Sequence, residues 1–270
     1  MDLTARKIIF EGHRIFRTVL RPHLRQVPGA RVFARTLRTI ASPGFRSELR
    51  LQRDRPDNLF QPFRHTAANR YPGIFRFVQL QLAEVKRPRI LSFGCSTGQE
   101  VFTLREYFPD AMLTGIDINP RNIRVCQRRG RKASDLYMRF RHAANTDQEE
   151  PESYDAIFCM AVFRHGGLSD GEASTCEHLI RFSDFERTLS GIDRCLKPGG
   201  YICVIHSNFR FCDTNLANRY AEVLHLQREQ QLCGVPLYGR DNRRMAEVVY
   251  NAVVFQKHRS HQDAIPSGMV

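Results

Sequence analysis

The segment Arg89-Ile-Leu-Ser-Phe-Gly-Cys-Ser-Thr-Gly-Gln-Glu100 constrains this chain most. An apolar run too short for a helix leads into small residues with Gly94 and Gly98, and then into a helix-forming stretch. That order predicts a strand, a tight turn and a helix, with glycines where a Cβ would hinder the backbone. Twenty-three residues past Gly94, Asp117 ends the next apolar run, Thr114-Gly-Ile-Asp-Ile-Asn119. An acid at the tip of the second strand can accept hydrogen bonds from both hydroxyls of a ribose lying in the crevice of a parallel sheet.

The rest of the pattern agrees. Apolar runs at 90–93, 112–116, 137–140, 156–160, 201–205 and 248–255 alternate with helical candidates at 99–107, 120–130 and 185–196. Strand, helix, strand at this interval predicts an α/β fold with a parallel sheet covered on both faces. Before it, residues 3–20 predict an amphipathic helix stopped by Pro22, and residues 30–40 a second helical stretch that ends at Ser42-Pro43-Gly44 and is followed by a polar basic connector to Asp57. Another helix begins at Pro72-Gly73. This divides the chain into a basic helical N-terminal extension (1–70), a cofactor-binding domain (71–258) and a flexible tail (259–270).

The turn chemistry selects among nucleoside cofactors. A dinucleotide site needs Gly-x-Gly-x-x-Gly and a pyrophosphate on the helix N-terminus. Here the spacing is Gly-x-x-x-Gly, and Glu100 stands in the first helical turn, where a carboxylate repels pyrophosphate but suits an ammonium group. Glu100 is equally a residue that complements the helix dipole. Cys95, Ser96 and Thr97 are small, with amides and hydroxyls able to reach a polar group. Ile118 can pack on an adenine face. Asn145 and Asp147, beyond the third strand, are candidates for the adenine amino group or for a turn cap. The fourth strand leaves Met160, Ala161 and Val162 at the far side of the cofactor, and Leu196-Lys-Pro-Gly-Gly reads as a helix end and tight turn before the fifth strand.

Composition excludes several classes. No segment approaches the roughly 18 unbroken apolar residues of a membrane span. The eight cysteines contain no Cys-x-x-Cys and sit partly in apolar runs, so they read as core residues of a reducing compartment, with no metal site and a cytoplasmic location. The formal charge is +13, and residues 1–57 hold 13 Lys/Arg against 5 Asp/Glu. A basic face can attract nucleic acid, anionic lipid or acidic protein. With 36 of 41 basic residues being Arg, spread throughout, a general compositional bias accounts for it equally well, and nucleic acid is not the favoured partner.

Taken together, the glycine turn, acidic second strand, Tyr154-Asp-Ala-Ile-Phe158 and Leu196-Lys-Pro-Gly-Gly200 resemble the class I S-adenosylmethionine-dependent methyltransferases. Within them, Ser92-Phe-Gly-Cys-Ser-Thr-Gly-Gln-Glu100 is most similar to the first motif of bacterial chemotaxis receptor methyltransferases. That family carries Arg-Asn-Val where this chain has Met160-Ala161-Val162, and its N-terminal Thr-x-Phe-Phe-Arg is only echoed by Phe60-Gln-Pro-Phe-Arg64. The resemblance implies a doubly wound, mostly parallel seven-stranded sheet, S-adenosyl-L-methionine as cofactor, and cofactor contacts at Gly94, Gly98, Glu100 and Asp117.

The expected activity is methyl transfer by in-line displacement to a protein carboxylate or a small molecule, by a monomer or weak dimer. A carboxylate acceptor needs no base; a hydroxyl or amine needs one, for which His165 and His206 are the candidates. Arg164, Arg210, Tyr238 and Asp241 are candidates for the acceptor side. An RNA methyltransferase using the basic N-terminus, a cofactor-binding regulatory module without activity, and a dinucleotide oxidoreductase are the alternatives.

Overall fold

The computed structural model describes residues 42–54, 58–63, 66–169, 172–227, 235–246 and 250–259. The helices expected at 3–20 and 30–40 and nearly all of the tail lie outside them. By its contacts the chain divides into residues 1–50 and 51–270, and the account below concerns the second unit.

Five helices of eight residues or more are described: α1 (Pro43–Asp54), α2 (Pro72–Gln81), α3 (Gln99–Tyr107), α4 (Pro120–Ala133) and α5 (Phe182–Cys195). The strands are β1 (Arg89–Phe93), β2 (Met112–Asp117), β3 (Met138–His142), β4 (Tyr154–Met160), β5 (Leu196–Ile205), β6 (Tyr220–His225) and β7 (Ala252–Lys257). They form one sheet in the order β3-β2-β1-β4-β5-β7-β6. The first five are parallel, and β7 runs antiparallel between β5 and β6. This is the doubly wound, mostly parallel seven-stranded sheet.

Burial explains the runs. All seven residues of β4 are buried, as a central strand covered by helices on both faces requires. On one face, α2, α3 and α4 contribute Phe75, Val78, Leu104 and Cys126; on the other, α5 contributes Phe185, Leu189 and Ile192. Asp155 is held in β4 because its carboxylate accepts from the Arg89 amide (2.8 Å) and Lys197 Nζ (2.6 Å).

Three expectations are corrected. The connector after Ser42-Pro43-Gly44 is helical, because proline is tolerated in a first turn, where its missing N–H would be unpaired anyway. The Lys197-Pro-Gly-Gly200 turn is part of β5, as an irregularity that sets Leu196 opposite Tyr154 and Tyr201 opposite Ala156. The last run starts later, at Ala252, and pairs with β6, which the periodicity missed: as an outer strand it has only Tyr220 buried. Residues 248 and 249 of that run lie outside the described residues.

Candidate active site

The connection reverses direction between β1 and β4, and in such sheets ligands bind beyond the strand ends at that switch. A cavity of about 90 Å³ lies there, lined by Gly94, Cys95, Ser96, Glu100, Asp117 and Ile118 from the β1 and β2 ends and Met160, Ala161 and Val162 from the β4 end. Eight of the eleven residues expected at the cofactor are therefore brought together. Thr97 turns away, donating to Gln99 Oε1 (2.7 Å) while its carbonyl accepts from Arg129 (2.8 Å). Gly98 is a packing residue at φ +87°, where a Cβ would stand 3.0 Å from Cys126 Sγ. Asn145 donates to Asp147 Oδ2 (2.6 Å), and its own Oδ1 accepts from the Asp147 amide. That is the turn reading of the pair.

The acids are held in contrasting ways. Asp117 is buried, and its carboxylate accepts from the Ser96 amide (2.8 Å), the Asn119 amide (2.8 Å) and Asn122 Nδ2 (3.0 Å). Burial pushes its pKa up, and these bonds oppose the rise. The Glu100 carboxyl accepts from the Ser92 hydroxyl (2.7 Å). Burial pushes it up to about 8, against the Ser92 bond and the charge of Arg70. A carboxyl in that condition gains from a cationic ligand group. The Ser96 hydroxyl and the Asn122 Oδ1 are buried without a partner among the described residues, so the cavity wall offers both a donor and acceptors.

Ser96 (φ 50°), Ala161 (φ 60°) and His206 (φ 52°) occupy the left-handed region without being glycine. They follow β1, β4 and β5 respectively. Each costs roughly 1–2 kcal/mol, and strain of this kind gathers at functional sites.

One group was not legible beforehand, and a second was legible only residue by residue. Leu59, Phe60, Pro62 and Phe63 form a strap across the cavity. Phe60 is buried edge-on against Phe163 at 5.2 Å, and Phe163 packs in turn on Phe93 and Phe185. The same strap helps to line a second cavity of about 320 Å³, together with His165, Glu177, His178 and Arg181 and the apolar Leu179 and Ile180. The other group surrounds His206: Arg164 Nη1 lies 3.5 Å from its Nδ1, and the Tyr71 ring is 5.6 Å away. The Tyr71 hydroxyl and Arg164 Nε are buried and unpartnered among the described residues. Both are donors, and Arg70 lies 5.2 Å from the Tyr71 ring centre.

His206 makes a weak base, and the Nδ1 of His165 is engaged. Burial and the charges of Arg70 and Arg164 bring His206 down to about 4. His165 Nδ1 accepts from the Gly167 amide at 3.1 Å, which puts the proton of the neutral ring on Nε2, a donor. Arg210 is committed to Asp213 (2.6 Å), and the buried Tyr238 donates to the Ala173 carbonyl. Asp241 accepts from the Arg243 amide. Among the described residues no group of three metal-ligating side chains converges.

A doubly wound sheet with an acid-lined cavity at its switch point, after a glycine turn, defines the S-adenosylmethionine-dependent methyltransferase class. The chain belongs to the methyltransferase-domain family, whose profile matches residues 85–254. It is 28% identical over 177 residues to the phthiotriol/phenolphthiotriol dimycocerosates methyltransferase 1 of Mycobacterium ulcerans, covering 66% of this chain and 54% of that protein. It is 28% identical over 131 residues to the demethylmenaquinone methyltransferase of Thermus thermophilus, covering 48% and 51%. The chain spans about half the length, or less, of the curated relatives it matches. Among solved structures, the Haemonchus contortus phosphoethanolamine N-methyltransferase 2 with S-adenosyl-L-methionine superposes at a TM-score of 0.33 and 20% identity, over 47% of this chain and 27% of that one.

Proposed function

We propose that the protein transfers the methyl group of S-adenosyl-L-methionine to an acceptor that presents an already unprotonated nucleophile, such as the carboxylate of a small molecule. The observation that carries the cofactor assignment is the pairing of Glu100 and Asp117 in one cavity at the switch point. Glu100 in the first helical turn disfavours a pyrophosphate there, and the two acids together suit a ligand that brings an ammonium and a pair of hydroxyls.

The residues fit that cofactor. Glu100 would take the ammonium, Asp117 the ribose hydroxyls, Ser96 a polar edge, and Ile118 a face of the adenine. The donors of Tyr71 and Arg164 beside His206 suit the methionine carboxylate. When bound, the cofactor supplies an electrophilic methyl, so that the acceptor's lone pair forms the new bond as the carbon–sulfur bond breaks, and positioning contributes most of the acceleration. The cavity of about 90 Å³ is below the roughly 300–1,000 Å³ of small-molecule sites. The strap must therefore shift to admit the ligand.

Two features support a small acceptor. The second cavity shares the strap with the first, and its mixture of apolar and polar lining is that of a small-molecule site. The two named relatives also carry small-molecule acceptors in their names. A protein carboxylate, as the first motif's similarity to chemotaxis receptor methyltransferases suggests, is the second reading. The weakness of His206 as a base, and the engagement of His165 Nδ1 by the Gly167 amide, favour a carboxylate in either case.

Calorimetric titration with S-adenosyl-L-methionine, then transfer of labelled methyl to components of a cell extract sorted by size, tests this. Saturable binding and a small labelled product are expected. Binding without any labelled product would instead mark a regulatory module, and no binding would overturn the cofactor assignment.

A further inference from the structure

We propose that the end of the sheet where β1 and β3 begin docks on an anionic lipid membrane. Among the described residues, the large apolar side chains left exposed are Leu80, Val85, Leu136 and Tyr137, at 60%, 37%, 87% and 47%. They come from two distant stretches of sequence, yet the topology gathers them. Leu80 ends α2 and Val85 lies in the turn entering β1, while Leu136 and Tyr137 enter β3. Since β1, β2 and β3 are parallel, all of these lie at one end. The Arg87 guanidinium, 5.1 Å over the Tyr137 ring, joins the two stretches directly.

Cations surround the apolar group. Residues 120–141 hold eight Lys/Arg against the single Asp135, and Asp135 is paired with Arg105 at 2.6 Å. More than half of the formal charge of +13 therefore falls on this stretch. Helix α4 buries Asn122, Ile123 and Cys126. Arg121, Arg124, Arg128, Arg131 and Lys132 recur at intervals of three and four or their sums, which sets them in a stripe on the opposite face; it starts toward the far end of the sheet with Arg121 and Arg124 and reaches the apolar group with Arg128, Arg131 and Lys132. Glu84, Glu106, Asp110, Glu150 and Glu152 are exposed acids at the same end, and Glu150 is paired with Arg89 at 3.4 Å; the exposed cations Lys86, Arg87, Arg128, Arg131, Lys132 and Arg139 outnumber the four that remain.

The combination chooses among polyanions. Nucleic acid uses arginines and aromatic faces, but exposed aliphatic side chains such as Leu80, Val85 and Leu136 have nothing to offer phosphates or base edges, and the Tyr137 face is already covered by Arg87. Aliphatic side chains ringed by cations suit the boundary between lipid headgroups and acyl chains. No described helix is long and apolar enough to cross a membrane, so the attachment would be peripheral and reversible.

The test is flotation of the full chain with vesicles of phosphatidylcholine alone and of equal parts phosphatidylcholine and phosphatidylglycerol. Binding to the anionic vesicles only is expected, weakening as salt rises. Each cation near such a surface is worth about a fivefold factor in partitioning, so R128Q/R131Q/K132Q is expected to bind about a hundredfold less. L136S/Y137S, which keeps every cation, is expected to lose about tenfold. All these side chains are exposed, and unchanged thermal unfolding would show that the variants are folded. Failure of the parent protein to float overturns the proposal, as does undiminished flotation of the triple variant. Tighter binding to a DNA duplex than to anionic vesicles, with L136S/Y137S unaffected in both, would reassign the surface to nucleic acid. None of these outcomes depends on the cofactor or acceptor assignment.

Discussion

The Ser92 hydroxyl donates to Oε1 of Glu100 across 2.7 Å, tying the middle of β1 to the first turn of α3. It is the named hydrogen bond that favours the charged form of a carboxyl whose burial favours the neutral one, and burial prevails, leaving Glu100 at about 8. The sign of the stability effect follows. The folded state keeps a proton that the unfolded chain releases near its ordinary value of 4.5. This contribution is therefore complete at acid pH, is lost as pH rises between about 4.5 and 8, and then levels off. Because Glu100 as a residue keeps some exposure to solvent, an amplitude on the order of 2 kcal/mol is expected. Urea unfolding at a series of pH values, as the difference between the parent and Glu100→Gln, checks it; a flat difference would refute the shift.

Ligand binding should report the same proton. A cation placed on Glu100 pulls its pKa down, so S-adenosyl-L-methionine binding at neutral pH is expected to release close to one proton. Titrations in two buffers of different ionisation enthalpy would give different apparent heats for the parent and equal heats for Glu100→Gln. Equal heats for both would remove Glu100 from the ammonium role.

Asp117 is a hub as well as a ligand candidate. Its carboxylate receives two backbone amides and Asn122, so Asp117→Ala leaves buried donors unpaired at roughly 1–3 kcal/mol each. Stability is expected to fall by about 2–4 kcal/mol, with cofactor affinity down at least about tenfold. Asp117→Asn keeps the shape but presents an amide donor to one of these partners. It is expected to lose cofactor affinity with a smaller drop in the urea midpoint. Unchanged affinity in both variants would refute the ribose assignment.

What could be read in advance divides by distance along the chain. Gly94, Glu100 and Asp117 lie within one strand, turn, helix, strand unit, so local pattern and known crevice geometry place them together. β4 was legible because a doubly covered strand must be apolar throughout. Phe60 and Tyr71 reach the site by tertiary routes and carry no local signature of it, since an aromatic two residues before Pro62 or just before Pro72 suits a surface loop equally well; Arg164 follows β4 closely, so its position could be read as an acceptor-side candidate while its contact with His206 could not. Thr97 and Asn145 do not line the cavity, for the opposite reason: small polar residues near a glycine turn or strand end satisfy backbone and neighbouring side chains as readily as ligands. β6 escaped because an outer antiparallel strand with one buried residue presents almost no apolar alternation.

Gly94 illustrates how tightly the turn is set. At φ +75°, a Cβ would stand 2.6 Å from Val162 Cγ2, so Gly94→Ala meets both backbone strain and a clash across the cavity floor. The strain alone is roughly 1–2 kcal/mol. In Gly94→Ala/Val162→Ala the clash is relieved and only the strain persists. The double variant is therefore expected to be more stable than the sum of the single changes by about 1 kcal/mol or more. Strict additivity in thermal unfolding would show that the two residues do not press on each other.

The strap gives the last test, because stability and ligand access should respond to it in opposite directions. Phe60 fills a site between the cavity and the ring of Phe163, and removing a buried phenylalanine side chain costs roughly 3–5 kcal/mol. Part of that loss falls on the closed position of the strap. If the strap must shift before the cofactor enters, the competent state is a minor one, and the apparent on-rate scales with its population. Phe60→Ala is therefore expected to lower the unfolding midpoint while accelerating S-adenosyl-L-methionine association several-fold in stopped-flow measurements. Phe60→Leu, which retains most of the apolar contact, should fall between the two. A variant that is destabilised but associates at the parent's rate would mean that the strap is a fixed wall and that the ligand enters by another path.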